Sequence, residues 1–520
     1  MSFDAVIGAV KQQLPHFNDY TLRGYREEQI SRIPDFVDTV FREAVQLFDE
    51  GLTYTGYERL SPEACIDYTV GLWGNNSKVN IQQSELELIR YQFVCVDPVT
   101  KIPENINVYL YLPYLFNDAL VIKDIKYYMN HAILDKTIYR INDGVIIKVM
   151  RSPLQFWRNT QTTYKDTDGD VYVDTVATVK AFYRKTKKGK TRKTPLMLYL
   201  LARYDFNDLV EHQLGFPGNS IVFVNSINEN EKDQYKFFDC GNDIYLRVKP
   251  DAVLTDKSGR KFIASLLYTL KIAEYFSFED VYNTLFYKMI LGKLLYEEDD
   301  NPELAITNAE HHFDSLKTYL DKYSQEDLAQ LGYRCNDIFD LFKEVFWHID
   351  QWITYYSPND LFEKRIGGAD LILGSIIKKI FTRCYEHISN KKVRTARNIS
   401  KMLKINAEEI SSVWSVPSVK SDSSLYNDNV LIGTLIKKIR QASTQDRGSH
   451  KKSNLITAKE HQFHSSFIAI ESALAISSSS PGVTGDINPF AAINSMGYFV
   501  KEQMPWYQEI EGLDQYLVHA

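Results

Sequence analysis

The stretch RKTKKGKTRKTPLMLYLLARYDFNDLVEHQLG, residues 184–215, changes character at Pro195. Seven of its first ten residues are Lys or Arg, and a run rich in Leu and Met follows the proline. Proline is favoured in the first turn of a helix, so the pattern predicts a basic, glycine-containing hairpin tip and then a helix that buries its apolar face. A second helical run is predicted from about Phe206. A lysine-rich tip of this kind is most often a solvated loop.

Length and composition limit the class of protein. The chain has 520 residues, enough for roughly two to four domains, and 44% of them are hydrophobic, as in globular proteins. The formal net charge is −7. An acidic chain is a poor free-standing, sequence-independent DNA binder, so any contact with nucleic acid must come from local basic patches.

The five cysteines and the N-terminus add further limits. The cysteines are scattered without a C-x-x-C pair, and only Cys384 and His387 have a ligand-like spacing. This disfavours a structural zinc site and a disulfide framework, and it favours a reducing compartment. The N-terminus lacks the apolar run of a secretory signal, and no apolar run approaches the ~18 residues of a membrane span. We expect no membrane partner.

The first 153 residues have mixed helical and strand patterns. Residues 34–50 repeat apolar residues at helical spacing, whereas residues 87–96 and 106–114 have the character of strands. Residues 132–150 predict two more strands joined by an Asn-Asp-Gly turn at 142–144. We interpret this part as a sheet platform without catalytic residues.

The next part, residues 154–385, begins with strand patterns and becomes helical. Strands are predicted at 171–173, 176–183, 220–224 and 243–248, followed by helices with a buried core from 261 to about 355. The predicted fold class is therefore α+β, with several domains. His311 and His312 lie in one of the helices, and because no partner stands at a metal-ligand spacing, both are predicted to be exposed.

One acidic turn is a candidate metal site. Asp166, Asp168 and Asp170 alternate in the sequence D-T-D-G-D, and three carboxylates so spaced can converge on a divalent cation. The sequence is not an EF-hand loop, because its glycine comes two positions too early. Asp-Gly between strand residues is also a strong hairpin signal. The favoured prediction is a polar hairpin, and the metal site is the alternative.

Basic residues gather in the C-terminal third of this acidic chain. The densest group is Lys391, Lys392, Arg394 and Arg397. Each residue alone is more often part of a solvated surface than of a phosphate site. The chain contains no G-x-x-x-x-G-K-[ST], G-x-S-x-G or H-E-x-x-H motif, and we predict no catalytic residue.

Four short segments, in this order along the chain, resemble the β subunit of multisubunit RNA polymerases. Residues 151–153 (RSP) resemble the R-S-P segment of that family, although its flanking His and Gly are absent here. Residues 192–215 resemble its R-K-x-P-L-x-x-L-L-x-x-L-G-Y segment. Residues 390–394 (NKKVR) resemble the segment after the inserted lobe, without its later Gly-Glu. Residues 480–490 (SPGVTGDINPF) resemble the fork region.

This resemblance implies a domain order. A protrusion-like domain would consist of residues 1–153 and 386–470, with a lobe-like domain inserted at 154–385 and a fork-like segment at 471–520. The E-T-P-E-G segment and the active-site lysines of the family's C-terminal half have no counterpart in the sequence. The chain is therefore similar to the N-terminal fragment of a split β subunit, of the kind found in giant bacteriophages of the phiKZ type.

The resemblance also implies a function. The chain would form one wall of the DNA cleft in a DNA-directed RNA polymerase, a nucleotidyltransferase, and would be inactive alone. It would bind no cofactor itself, since β′ holds the Mg²⁺ of the assembled enzyme. Residues expected at the template or the RNA–DNA hybrid are Arg151, Lys391, Lys392, Arg394, Arg397, Ser480, Thr484 and Asn488.

The same resemblance implies partners and a location. The partners would be the C-terminal β fragment, N- and C-terminal β′ fragments, a promoter-specificity subunit, template DNA and the hybrid. The expected location is the cytoplasm of an infected bacterium, with packaging into the virion left open.

Two other classes of function remain open at this point. The first is a metal-dependent nucleic-acid enzyme centred on Asp166, Asp168 and Asp170; it includes a β′-like fragment, because D-x-D-G-D resembles the magnesium-binding loop of β′. The second is a phage structural protein.

Overall fold

The computed structural model describes residues 22–45, 51–73, 88–97, 100–111, 115–116, 119–122, 125–128, 131–149, 153–180, 193–273, 275–296, 301–317, 319–354, 360–367, 424–425, 440–443, 466, 484–488 and 491–504. The chain divides into two compact units. The first unit combines Met1–Lys136 with Ser357–Ala520, and the second unit is Thr137–Tyr356. The second unit is thus inserted, along the chain, into the first.

The described helices are eleven α-helices and several short turns. In chain order they are α1 (Leu22–Ser31), α2 (Ile33–Val45), α3 (Pro62–Trp73), α4 (Leu196–Leu201), α5 (Phe206–Asp208), α6 (Pro250–Val253), α7 (Lys257–Ala273), α8 (Thr284–Tyr296), α9 (Pro302–Lys317), α10 (Lys322–Gln330) and α11 (Ile338–Thr354). A π-helical turn, Leu209–Gln213, continues α5. Within the described ranges no helix is long and apolar enough to cross a membrane.

The described strands number nineteen. They are β1 (Leu52–Arg59), β2 (Leu88–Val96), β3 (Pro103–Tyr111), β4 (Leu115–Phe116), β5 (Ala119–Ile122), β6 (Ile125–Tyr128), β7 (His131–Asp135), β8 (Ile138–Ile141), β9 (Gly144–Ile147), β10 (Leu154–Lys165), β11 (Val171–Lys180), β12 (Lys193–Pro195), β13 (Ile221–Val224), β14 (Lys236–Gly241), β15 (Ile244–Val248), β16 (Lys364–Gly367), β17 (Ser424–Leu425), β18 (Gln441–Ser443) and β19 (Thr484–Asp486).

The first unit begins with a helix packed on an antiparallel sheet. The predicted amphipathic helix is confirmed as α2, which buries its apolar stripe. The ring of Phe41 in α2 lies 5.1 Å from the rings of Tyr91 and Phe93 in β2. The predicted strands are confirmed as β2 and β3, which pair with each other, and β1 completes the order β1-β2-β3. Alternation along the strands therefore sets one buried face against α2.

A second sheet of the first unit joins distant parts of the sequence. Its strand order is β16-β7-β18-β19. Strand β7 precedes the second unit in the chain, and the other three strands follow it. Strand β16 pairs antiparallel with β7, while β18 runs parallel to β7 and antiparallel to β19. Backbone hydrogen bonds thus connect the sequence on either side of the inserted unit.

The second unit combines two sheets with a helical core. The sheet orders are β12-β11-β10-β9-β8 and β13-β15-β14. The predicted turn at 142–144 joins β8 to β9, and one strand, β11, replaces the two strands predicted at 171–173 and 176–183. Helices α7, α8 and α11 supply much of the core, as predicted for residues 261–355. Strand β14 had no clear signal in the sequence.

The stretch at residues 184–215 lies partly within the described residues. Its basic tip at 184–192 lies outside them. Pro195 ends β12 and caps the N-terminus of α4, which confirms the proline-started helix. The predicted burial of its Leu and Met residues is also confirmed, and the structure goes further, because all six residues of α4 are buried. A helix surrounded by a sheet and other helices has no solvent face.

The exposure predicted for His312 is wrong. Its side chain is buried in α9, whereas His311 is exposed as predicted. The Tyr199 hydroxyl lies 3.2 Å from His312 Nε2, and burial lowers the pKa of His312 to about 4. The sequence identified two neighbouring histidines but not which one faces the core.

The boundaries of the units do not identify the predicted domains. The inserted unit begins at Thr137 and ends at Tyr356, whereas the lobe-like domain was expected at 154–385. The protrusion-like, lobe-like and fork-like assignments therefore stay predictions.

Candidate nucleic-acid interface and acidic turn

Two of the residues expected at nucleic acid lie within the described part of the chain. Thr484 begins β19, at the edge of the second sheet of the first unit, and Asn488 follows that strand. Arg151, Lys391, Lys392, Arg394, Arg397 and Ser480 lie outside the described residues. Thr484 and Asn488 therefore lie at the two ends of one edge strand.

The segment 484–488 is attached through its backbone. Thr484 pairs with Ser443 across the β18–β19 ladder. Beyond the strand, the Ile487 amide donates to the Arg440 carbonyl at 2.9 Å, and the Arg440 guanidinium donates to the Ile487 carbonyl. The Asn488 carbonyl accepts from the Ala491 amide at 2.9 Å. These hydrogen bonds hold Ile487 and Asn488 in place where the chain leaves strand β19.

A tight loop at residues 494–498 follows this segment. The Asn494 side chain accepts hydrogen bonds from the amides of Met496 and Tyr498, at 3.0 and 2.9 Å. Gly497 in this loop accepts from the Ile366 amide at 2.7 Å. The Tyr25 hydroxyl donates to the Ile366 carbonyl at 2.9 Å. Helix α1, strand β16 and the C-terminal segment therefore meet at one place.

The acidic turn is a β-hairpin, as the favoured prediction stated. Strands β10 and β11 pair up to Lys165 opposite Val171. The carboxylate of Asp166 accepts from the amides of Asp168 and Asp170, at 3.1 and 2.8 Å. Gly169 has a φ of +93°, a conformation that glycine adopts without strain.

The three carboxylates of this turn converge on a lysine. The Nζ atom of Lys236 lies 3.1 Å from Asp166 and 2.9 Å from Asp168 and Asp170. The carboxylates raise the pKa of Lys236, mainly through hydrogen bonds from its ammonium to Asp168 and Asp170. In the described residues no group of three or more His, Cys, Asp or Glu side chains is arranged to hold a metal ion. The ammonium stands where the alternative prediction puts a cation.

Lys236 was missed because nothing in the sequence links position 236 to 166–170. The turn pairs with β14 through its backbone. The Thr167 amide donates to the Phe237 carbonyl at 2.9 Å, and Asp166 forms an isolated antiparallel β-bridge with Phe238. The Lys236 ammonium offsets one of the three negative charges of the turn, and these contacts attach the hairpin to the second sheet of its unit. The metal-dependent enzyme stays an alternative prediction, and no group of metal ligands among the described residues supports it.

Comparison with known families gives the class of this protein. The model of the family described as "Non-virion RNA polymerase subunit" matches residues 8–512, nearly the whole chain. The chain belongs to this family and is a subunit of an RNA polymerase. No curated protein matches it. Its partners therefore include other RNA polymerase subunits.

Proposed function

We propose that this chain is the N-terminal part of a split β subunit in a phage DNA-directed RNA polymerase. It forms one wall of the DNA cleft, carries no complete active site, and is inactive alone. The chemistry is nucleotidyl transfer, with Mg²⁺ held by β′ carboxylates stabilising the charge on the transferred phosphate.

One observation carries the β assignment. The sheet β16-β7-β18-β19 is built from strands on both sides of the inserted unit, and β19 lies within the fork-like segment. A protrusion-like domain assembled from two separated pieces, with another domain inserted between them, requires this connectivity. The order of the four β-like sequence segments is independent support for the same assignment.

The proposed nucleic-acid contacts follow from charge and position. Lys391, Lys392, Arg394 and Arg397 contact phosphates, which gives affinity without sequence preference. Arg151 and residues 480–488 lie nearest the RNA–DNA hybrid. The family description "non-virion" favours action in the cytoplasm of the infected bacterium over packaging in the virion.

The subunit assignment is tested by co-purification. A tagged chain isolated from infected cells should carry a C-terminal β fragment and both β′ fragments in equal amounts, together with any promoter-specificity subunit. Recovery with a complete β chain would contradict the split-β assignment. Recovery in virions without other polymerase subunits would favour a structural role.

The DNA contacts are tested by the salt dependence of binding. In the assembled enzyme, alanine at positions 391, 392, 394 and 397 should make the plot of log affinity against log salt less steep. Its slope should change by about 0.9 for each phosphate that is no longer neutralised. A matched variant removes four cations that each pair with one acidic residue. These are Arg42, Lys232, Lys288 and Lys317. Equal slopes for the two variants would contradict these contacts.

A further inference from the structure

Three cations surround one carboxylate in the second unit. The Asp350 carboxylate in α11 lies 3.3 Å from the Lys261 ammonium, 3.4 Å from the Arg158 guanidinium and 3.9 Å from the Lys257 ammonium. The Thr175 hydroxyl approaches it at 3.4 Å. The cluster joins the ends of α7 and α11 to strands β10 and β11.

The four side chains differ in their access to solvent. The exposed fraction is 4% for Lys261, 17% for Asp350, 29% for Arg158 and 64% for Lys257. Lys261 also donates to the Phe346 carbonyl at 2.5 Å, so its ammonium is fixed inside the unit. The buried Lys261 is thus the natural counter-charge of Asp350, and the more exposed cations lie outside this pair.

The ionisation of the pair is consistent with this division. Burial lowers the pKa of Lys261, and Asp350 opposes that shift. Burial works against ionisation of Asp350, but Lys261 and Lys257 outweigh it and hold the pKa of Asp350 below its usual value. Asp350 is therefore charged at neutral pH.

The neighbouring charges do not balance the cluster. Arg260 lies 3.8 Å from the buried Asp174, which also accepts from the Tyr164 hydroxyl at 3.0 Å. Together, these described side chains comprise four cations and only two carboxylates. Elsewhere in the unit, Lys288 pairs with Glu310 and Lys317 with Asp314, one acidic residue to each lysine. The cluster therefore has an excess of two positive charges in a chain whose net charge is −7.

We propose that Arg158 and Lys257 bind a backbone phosphate of the DNA held by the polymerase. The inference rests on the proposed function. Arg158 has five N–H donors and directs only one of its nitrogens to Asp350, at 3.4 Å, so donors remain for an anion from outside. Lys257 is exposed and begins the 17-residue helix α7, whose N-terminal end adds positive potential at the same place.

The test uses the assembled polymerase and duplex DNA. Replacing both residues, Arg158→Gln and Lys257→Gln, should reduce the steepness of the plot of log affinity against log salt. The slope should change by up to about 1.8, roughly 0.9 for each cation that no longer contacts a phosphate. The control Lys288→Gln with Lys317→Gln removes the same charge from balanced pairs and should leave the slope unchanged. Equal slopes for wild type and the double variant would overturn the inference.

A second variant separates binding from folding. Lys257→Glu reverses an exposed charge whose described ion pair is the 3.9 Å approach to Asp350, so the fold should tolerate it. It should weaken DNA binding by more than Lys257→Gln does. If inorganic phosphate competes with DNA at this site in the wild type but not in Lys257→Glu, the ligand is a phosphate group. Competition by free nucleotide at far lower concentration than inorganic phosphate would instead indicate a nucleotide site and overturn the assignment to backbone.

The result can be separated from failure of the proposed function. If the polymerase fragments co-purify and alanine at positions 391–397 changes the salt slope, while the changes at Arg158 and Lys257 do not, only this inference fails. If the β and β′ fragments do not co-purify with the chain, the proposed function fails first.

Discussion

Gly497 and Ile366 approach so closely that a Cβ atom on Gly497 would lie 2.1 Å from the Ile366 carbonyl oxygen. The Gly497 carbonyl accepts from the Ile366 amide at 2.7 Å, and Gly497 has a φ of +86°. The same added Cβ would lie 3.3 Å from the hydroxyl of Tyr25. The C-terminal loop can therefore dock on β16 only where the chain has no side chain.

Gly497→Ala should destabilise this docking by roughly 2–4 kcal/mol, because it combines strain at positive φ with a backbone clash. Native-state hydrogen exchange at residues 364–367 and 491–500 measures the local opening free energy. Gly71→Ala is the control, since an added Cβ at this exposed helical site meets nothing within 4 Å. That change should stabilise α3 by roughly 0.5–1 kcal/mol. Equal protection in Gly497→Ala and wild type would contradict the prediction.

Stability of the second unit should decrease in mild acid because of His312. Its pKa is lowered to about 4 by burial, so the unfolded chain, with an ordinary value near 6.5, takes up the proton first. The contribution is complete above about pH 6.5 and is lost as the pH falls towards 4, at a total of roughly 3 kcal/mol.

Urea unfolding followed by tryptophan fluorescence, between pH 7.5 and pH 4, measures this loss. His312→Leu should have a flatter pH profile than the wild type, at the cost of the contact with Tyr199. His311→Leu should keep the wild-type profile, because His311 is exposed. Profiles that coincide for wild type and His312→Leu would exclude His312 as the titrating group.

Lys236→Met should destabilise the hairpin by about 1–3 kcal/mol, because three carboxylates then face one another without a counter-charge. Lys232→Met is a matched control: its exposed pair with Glu229 should contribute less than about 0.5 kcal/mol. Equal effects of the two substitutions on urea unfolding would contradict a special role for Lys236.

Asp168→Ala distinguishes the proposed function from the metal-enzyme alternative. Asp168 contacts the ammonium of Lys236, so we expect the assembled polymerase to keep its transcription activity within about twofold. Isothermal titration with Mg²⁺ should give the same result for the isolated wild-type chain and for Asp168→Ala. Loss of activity together with loss of Mg²⁺ binding would favour the alternative.

The sequence predicted those elements whose signals are local. Helix α2 and strands β2 and β3 follow from periodicity, and the hairpin at 166–170 follows from its Asp-Gly turn. Burial of every face of α4 and of His312 could not be predicted in this way, because it depends on which distant elements pack around them.

The sequence by itself determined the α+β class, several helices and strands with strong local signals, and the order of four segments that resemble a polymerase β subunit. Only the tertiary structure decided that Lys236 meets the acidic turn, that Asp350 gathers three cations, and that β7 pairs with β16 across the inserted unit. The physical reason is range. Turn and helix preferences act over a few neighbouring residues, whereas charge clusters and sheet pairing join residues tens to hundreds of positions apart, and no local pattern encodes such a pairing.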